Sequence, residues 1–305
     1  MQVLGDFSPL FRPGLRRDFR DSYQDFEPEY TSFMNVSTTG EPEMRGTYII
    51  GLNRLQERFD GEPITYDDPK LGNISVGVVK EFAGGFMLTR RTVEEDKYGK
   101  ANQGAKWLAR AARLTYEYRV GAFLDDIFTG TYFKSMQDNL ALIHTAHVLQ
   151  GNAGGTVANR PSTDVQLSVA GITAILDLWT VLKDENGDPI KASPDTLIYG
   201  TAPGDESTAL AIWNSTLEPF TADNTDNVIR RRMGKPKIIQ SHYKANPKSY
   251  FLVSSQLNDA HVAVRRPVEF DDTYDFDTDV MKNKSTTVFM IVAFDWRGWS
   301  GSSPT

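Results

Sequence analysis

Apolar residues recur with a helical period over residues 97–128. One stripe follows i, i+3 and i+4 spacing and consists of Leu108, Ala112, Tyr116, Val120, Phe123 and Ile127. A second, polar stripe consists of Lys106, Arg110, Arg113 and Glu117. The pattern predicts an amphipathic helix that lays one face on a core. At ~1.5 Å per residue it would be roughly 45 Å long. Gly130 is suited to end it, while Gly99, Gly104 and Gly121 weaken it locally.

Strand signals precede this helix. ISVGVV at 74–79 and GGFMLT at 84–89 are β-branched or aromatic runs bounded by glycine. Before them, residues 62–73 are rich in Pro, Asp and Gly and predict a turn. We interpret this region as a long hairpin with an extended, polar tip. An isolated hairpin is only marginally stable in water, so a projecting one is expected to have a partner.

The remainder of the chain mixes helices and strands. A helix over about 165–183 is predicted by one apolar face, made of Val169, Ile172, Leu176, Trp179 and Leu182, and a helix over about 205–217 by Leu210, Ile212, Trp213 and Leu217. Strands are predicted at 196–200, 237–243, 249–254, 260–266 and 286–296. A glycine-rich stretch, 151–164, and a turn, 183–189, separate them. Helices segregated from mostly antiparallel strands indicate the α+β class.

Residues 1 to about 45 show neither a helical nor a strand period. Large apolar side chains are scattered singly among Pro, Asp and Arg, namely Phe7, Phe11, Phe19, Tyr23, Phe26, Tyr30 and Phe33. One interpretation is a frayed terminus. The favoured one is an arm that lies on a neighbouring copy of the chain and buries its aromatic side chains there.

Composition narrows the function classes. A chain of 305 residues, with 40% hydrophobic and 24% charged residues, suffices for one large domain or two modest ones. No segment approaches the roughly 18 consecutive apolar residues of a membrane span, and the first twenty residues lack the apolar region of a signal peptide. The absence of cysteine excludes disulfides, zinc–thiolate sites and cysteine nucleophiles. The net charge of -7 disfavours a protein that grips nucleic acid.

Two constellations could bind a metal ion, and both are incomplete. His144 and His147 form an H-x-x-H pair, but a zinc site needs a third protein ligand and no acidic residue stands at a ligand spacing. Asp275, Asp277 and Asp279 alternate as in a calcium loop. Such a loop requires glycine at its sixth position and glutamate at its twelfth, and this chain has neither there. A structural turn and a solvated acidic loop, open to adventitious cations, are the favoured interpretations.

No catalytic motif is complete. Residues 298–302, GWSGS, approach a nucleophile elbow but lack its last glycine and lie near a C-terminus expected to be frayed. Phosphate-binding glycine loops are missing from the sequence. The densest basic patch consists of Arg230, Arg231, Arg232, Lys235 and Lys237. It could bind nucleic acid, but complementary contacts with acidic residues of an adjacent subunit are favoured.

Several segments, taken in their order and spacing, resemble the tailed-phage major capsid proteins, particularly relatives of the Mu-like major head subunit. They are LFRPGLRRDFRDSYQ (10–24), LTRRTVEEDKYGK (88–100), ALIHTAHVLQGNAGGTVANRPSTDVQLSV (141–169), STLEPFTADNTDN (215–227), RRPVEFDDTYDFDT (265–278) and DWRGWSGSSP (295–304). The resemblance runs along most of the chain and implies the HK ninety-seven-like fold.

The resemblance also implies a division of the chain. The expected parts are an N-terminal arm (1–45), an E-loop hairpin region (46–90), a peripheral domain with its spine helix (91–162, helix 97–128), an axial domain (163–257) and returning peripheral strands (258–305). Contacts between subunits are expected at Phe11, Arg16, Arg17, Phe19, Tyr66, Lys70, Arg230, Arg231 and Arg232. Lys70 and Lys80 lie on the expected hairpin, but nothing in the sequence indicates that either is cross-linked.

The resemblance implies a structural protein of the virion, without catalytic, cofactor or metal site, that assembles in the host cytoplasm. Copies of the chain would form hexamers and pentamers of an icosahedral shell around double-stranded DNA, without sequence-specific DNA contacts or a membrane. Portal, scaffolding and decoration proteins are the further expected partners. Deleting residues 1–30 is expected to leave a folded core and block stable shells. An encapsulin-type compartment is the alternative, followed by another virion part and an unrecognised enzyme.

Overall fold

The computed structural model describes residues 8–52, 54–55, 57–64, 66, 68–95, 100–135, 138–151, 154–221 and 225–305. The helices are α1 (Ser8–Gln24), α2 (Arg90–Glu94), α3 (Lys100–Asp126), α4 (Val169–Thr180), α5 (Asp205–Asn214) and α6 (Val228–Met233). The strands are β1 (Asn35–Thr38), β2 (Glu43–Ile50), β3 (Lys70–Val78), β4 (Lys80–Thr89), β5 (His147–Val148), β6 (Thr156–Val157), β7 (Thr196–Tyr199), β8 (Lys237–Gln240), β9 (Tyr250–Val253), β10 (Ala260–Asp275), β11 (Val280–Ala293) and β12 (Trp299–Ser302).

Two four-stranded sheets organise the molecule. The first has the order β1-β10-β11-β4, with β1 parallel to β10 and the other pairs antiparallel. The second has the order β12-β9-β7-β8, in which only β7 and β8 run parallel. Helices α5 and α6 lie in the crossover between those two parallel strands. This mixture confirms the predicted α+β class.

The long helix is confirmed as α3, and its apolar stripe faces the core as predicted. Tyr116, Val120 and Phe123 are buried, and Tyr116 stacks on Phe289 of β11 at 4.1 Å between ring centroids. Gly130 follows the helix with a φ of 65°, as its predicted role in ending the helix requires. Residues 96–99 of the predicted start lie outside the described residues.

One position of the predicted polar stripe is wrong. Glu117 is only 3% exposed. Its carboxylate accepts the backbone N–H of Glu29 at 2.7 Å, so the segment before β1 covers this side of the helix. The periodicity of one helix cannot reveal a second segment laid on its polar face, which is why the sequence placed Glu117 in solvent.

The absence of regular structure predicted for the first 45 residues is also wrong. Residues 8–24 form α1, which packs along α3. Leu15 and Phe19 are 1% and 5% exposed and cover Ala105 and Ala109 of α3. The helix forms because Leu15, Phe19 and Tyr23 stand four residues apart and so share one face.

The predicted hairpin exists, but its strands pair differently from the prediction. Strand β3 pairs with β2, in the register Glu43↔Val78 to Ile50↔Lys70. Strand β4 pairs instead with β11, from Lys80↔Phe289 to Thr89↔Val280. The hairpin is therefore β2–β3, and the described residues between the two strands (51–52, 54–55, 57–64, 66 and 68–69) form its distal loop. It is a two-stranded sheet of its own among the described strands.

The C-terminal segment is a core element, which contradicts the expected fraying. All four residues of β12 are buried, and the strand adds an edge to the second sheet beside β9. Trp179 of α4 donates its indole N–H to Ser300 Oγ at 2.7 Å, and Trp299 donates its own to Asn258 Oδ1 at 2.9 Å. The strand thus joins the sheet of the region expected to be axial, although it lies within the range 258–305.

Candidate interaction surfaces

The β2–β3 hairpin carries large apolar side chains that its own chain leaves uncovered. Leu55, Phe59 and Tyr66 in the distal loop are 101%, 71% and 86% exposed. Ile74, Val76 and Val78 of β3 are also exposed. Several exposed apolar side chains on one element are typical of a contact surface for another protein.

The base of the hairpin is fixed to the first sheet. A Cβ on Gly77 would lie 2.1 Å from Cγ1 of Val292, so only glycine permits this close approach. Met44 and Val79 pack on a cluster that includes Met290, Val292 and Phe294 of β11 and the residue after it. Beneath the hairpin lies a cleft of about 770 Å³, lined by β3, β11, the C-terminal half of α3 and residues 129–134.

The contact residues predicted for the arm occupy different environments. Arg16 forms an ion pair with Asp272 of β10 at 2.8 Å, and Arg17 is exposed. Phe19 packs on Phe270 of the same chain at 4.9 Å. Its predicted role as a contact between copies is therefore replaced by a role in holding α1 on the body. Phe11 lies in α1, and its side chain lies outside the described part of the molecule.

The remaining predicted contact residues belong to the hairpin and to α6. Tyr66 lies in the exposed distal loop, and Lys70 begins β3. Arg230, Arg231 and Arg232 all lie on α6, where they contact their own chain. Arg232 pairs with Asp177 of α4 at 2.7 Å, Arg231 with Asp226 at 3.2 Å, and Arg230 donates to the carbonyl of Asn214 at 3.4 Å. Arg230 and Arg231 also remain exposed.

The histidine pair has a structural role in the core. His147 is fully buried, stacks on Trp296 at 4.1 Å and is hydrogen-bonded through Nδ1 to Asp138 at 2.6 Å. Burial acts to raise the pKa of Asp138, but the hydrogen bond and charge of His147 outweigh it and lower that pKa. Within the described residues, no group of three His, Cys, Asp or Glu side chains is arranged to hold a metal ion.

The three alternating aspartates belong to the turn between β10 and β11. Asp275 pairs with Lys282 at 2.9 Å, while Asp279 has a φ of 51° and bonds through its carbonyl to the N–H of Arg90. A tight turn between paired strands explains their spacing without a bound cation.

Titratable groups meet where the N-terminal segment, α3 and the loop after β8 converge. Glu29 binds Nδ1 of His242 at 2.6 Å, and its own N–H is donated to Glu117. Burial raises the pKa of Glu117 to about 7, and the charge of Glu29 adds to this, while the backbone N–H groups of Glu29 and Tyr30 oppose it. A carboxyl group with this raised pKa changes its charge near neutral pH.

A buried lysine lies close to that junction. Lys244 is 7% exposed and donates to Ser249 Oγ at 2.7 Å. Burial lowers its pKa to about 7, against the opposing charges of Asp125 and Asp205. No sequence pattern indicates either buried group, because burial of these polar positions depends on contacts between distant segments.

A long helix laid on one sheet, a second sheet with a helical crossover and a separate two-stranded hairpin make up an HK ninety-seven-like fold. The virus-like particle of Pyrococcus furiosus matches with a TM-score of 0.56 at 11% identity, over 96% of this chain and 99% of that chain. The procapsid of bacteriophage JBD30 matches with a TM-score of 0.55 at 12% identity, over 99% of this chain and 77% of that chain. The mature capsid of bacteriophage PhiM1 matches with a TM-score of 0.56 at 11% identity, over 90% of this chain and 86% of that chain.

The chain belongs to the phage capsid protein family, whose model matches residues 74–300. It is a structural capsid subunit and a component of the virion. A comparison with curated proteins found no match. Among the described residues, no helix is both long and apolar enough to cross a bilayer.

Proposed function

We propose that this chain is the subunit of an icosahedral phage head, forming hexamers and pentamers around double-stranded DNA. The observation that carries the proposal is the β2–β3 hairpin, whose apolar side chains are exposed although the rest of the chain has a well-packed core. Burying such surface on other copies supplies the main favourable free energy of association. Closed symmetry repeats each contact around the shell.

Charge supports enclosure of DNA without tight binding. The chain has a net charge of -7, and the arginines of α6 are partly neutralised by contacts within the subunit. Because phosphate neutralisation drives DNA binding, an acidic wall would let packed DNA slide. Assembly in the host cytoplasm and contacts with portal, scaffolding and decoration proteins complete the proposal.

We also propose the expected division of the chain into parts, with changed boundaries. Residues 46–90 and 97–128 correspond to the hairpin with β4 and to α3. The axial region 163–257 would gain β12 from the range 258–305. In the N-terminal arm, only the part before α3-bound Leu15 would be free to reach a neighbour, because the following side chains pack on their own chain.

An encapsulin-type compartment is a second candidate, favoured by the match to the virus-like particle over 99% of that chain. Electron microscopy of purified protein, with measurement of nucleic acid inside the particles, separates the two. We expect closed shells with hexameric and pentameric capsomers, which enclose double-stranded DNA when made during infection. Shells that enclose protein cargo would favour the compartment, and a protein that stays monomeric at high concentration would overturn both.

A further inference from the structure

The distal end of strand β2 contacts a turn of its own subunit, at residues 184–188 between α4 and β7. Asn186 donates its side-chain amide to the carbonyl oxygens of Gly51 and Leu52, at 3.0 Å each. Arg54 forms an ion pair with Asp188. Among the described residues, the hairpin therefore contacts its own chain both at the close packing around Gly77 and at this polar contact.

The turn that receives the hairpin is already ordered by its own bonds. The side chain of Asp184 accepts the backbone N–H groups of Asn186 and Asp188 at 2.9 and 2.7 Å. Below it, Glu185 is 1% exposed and pairs with the buried Arg297. Since these bonds use the backbone of the turn, the amide of Asn186 and the carboxylate of Asp188 remain available to the hairpin.

The contact is polar and open to solvent. The side chains of Arg54 and Asp188 are 75% and 32% exposed, and exposed ion pairs gain little because water and salt screen them. The attachment at Gly77, in contrast, is apolar and tightly packed. The distal attachment can therefore open while the base stays in place.

We propose that Asn186, Asp188 and Arg54 form a reversible latch, which holds the hairpin across its own subunit and delays its engagement with a neighbouring copy. The inference rests on the proposed function, because the delayed partner is a second copy of this chain. A subunit whose binding-competent state is partly populated binds more weakly in proportion to that population. Opening the latch should therefore accelerate assembly.

The test uses the full chain and follows shell formation by light scattering after a concentration jump. Arg54→Asp, Asp188→Arg and Asn186→Ala should each assemble faster, by roughly threefold or more, as the competent population rises. The double variant Arg54→Asp with Asp188→Arg restores an ion pair of reversed polarity and should return towards the original rate. Arg58→Ala removes a nearby positive charge outside the contact and should leave the rate unchanged.

Hydrogen exchange of unassembled protein gives a second readout that does not require shells. The single latch variants should let the distal end of the β2–β3 ladder open more often and so exchange faster at residues 47–50, and the double variant should recover protection. Single variants that assemble at an unchanged or slower rate would overturn the latch. If even the unaltered chain forms no shells, the proposed function fails, and the exchange data alone decide whether the latch exists.

Discussion

At the scale of single residues, Glu117 shows how a polar side chain can report on a neighbouring segment. Its carboxylate is buried under Glu29 and Tyr30, which lead from α1 into β1. A sequence pattern places such a residue on the solvent-exposed face of a helix, because the pattern describes one element and not the segments that pack on it. The elevated pKa is the electrostatic consequence of the covering segment.

We predict that Glu117→Gln stabilises the protein at pH 8 and has little effect at pH 4. Burial raises the pKa of Glu117 from 4.5 to about 7. A raised pKa means that the folded state holds the proton more tightly, so this group stabilises below pH 4.5 and loses that contribution as the pH rises through 7. The expected gain at pH 8 is at most about 3 kcal/mol.

Thermal unfolding of both proteins at the two pH values measures this difference. Glu41→Gln, at an exposed glutamate, is the matched control and should shift the melting temperature equally little at pH 4 and pH 8. A gain from Glu117→Gln of the same size at both pH values would mean that ionisation is not its cause.

At the scale of elements, α3 was the most predictable part of the fold. Tyr116, Val120 and Phe123 repeat over three turns, so their periodicity survives whatever packs around them. Strand β2 was missed because residues 51–69 separate it in the sequence from its partner β3. Strand β12 was missed because its Ser and Gly residues resemble a loop, and they are buried by contacts with Trp179 and β9 that only the folded chain contains.

Gly121 of α3 allows a close approach that the sequence could not indicate. A Cβ at this position would lie 2.1 Å from the carbonyl oxygen of Tyr243, a backbone atom. A glycine inside a helix ordinarily costs about 1 kcal/mol relative to alanine. Glycine is required at this position because the loop after β8 lies directly against the helix.

We predict that Gly121→Ala destabilises the protein in spite of the better helix propensity of alanine. The loop must move away from α3, which costs about 2 kcal/mol or more, as overpacking usually does. Gly14→Ala in α1 is the matched control, since nothing lies within 4 Å of its Cβ. Denaturant unfolding should show a loss for the first variant and no loss for the second. A stabilised Gly121→Ala protein would contradict the steric explanation.

At the scale of the whole molecule, Tyr66 is exposed on the hairpin, and its contact with a neighbouring copy stays a prediction. The sequence predicted that hairpin. It assigned Phe19 to a neighbouring copy, whereas that side chain lies within its own subunit. The error has one cause: a sequence shows that an apolar side chain needs cover, but not which copy of the chain supplies it.

The same distinction changes how the N-terminal deletion should be made. Tyr30 is 5% exposed and stacks on Tyr116, so removing residues 1–30 would open the core of the subunit. The loss of shells would then have two explanations. Removing only the residues before Gly14 keeps Leu15 and Phe19 on α3 and tests the arm by itself.

We predict that Leu55→Ser combined with Phe59→Ser leaves the subunit stable but impairs shell formation. Both side chains are exposed, so the free energy of unfolding should change by less than about 0.5 kcal/mol. Each substitution removes apolar surface that would be buried between copies in the proposed shell. Unfolding curves and electron microscopy measure the two effects separately.

Phe276→Ser is the control for that experiment, because Phe276 is 86% exposed in the turn between β10 and β11 and is not part of the hairpin. This variant should keep its free energy of unfolding and should still form shells. Normal shells from the hairpin double variant would show that these two side chains are not required for contacts between copies.

The antiparallel ribbon of β10 and β11 runs from an exposed turn into the buried interior. Strand β10 alone has 16 residues, roughly 50 Å at ~3.4 Å per residue. When its two strands are pulled lengthwise in opposite directions, their cross-strand hydrogen bonds bear the load together instead of opening one after another. A container built from such ribbons, as proposed here, would resist outward pressure by sharing tension along each subunit.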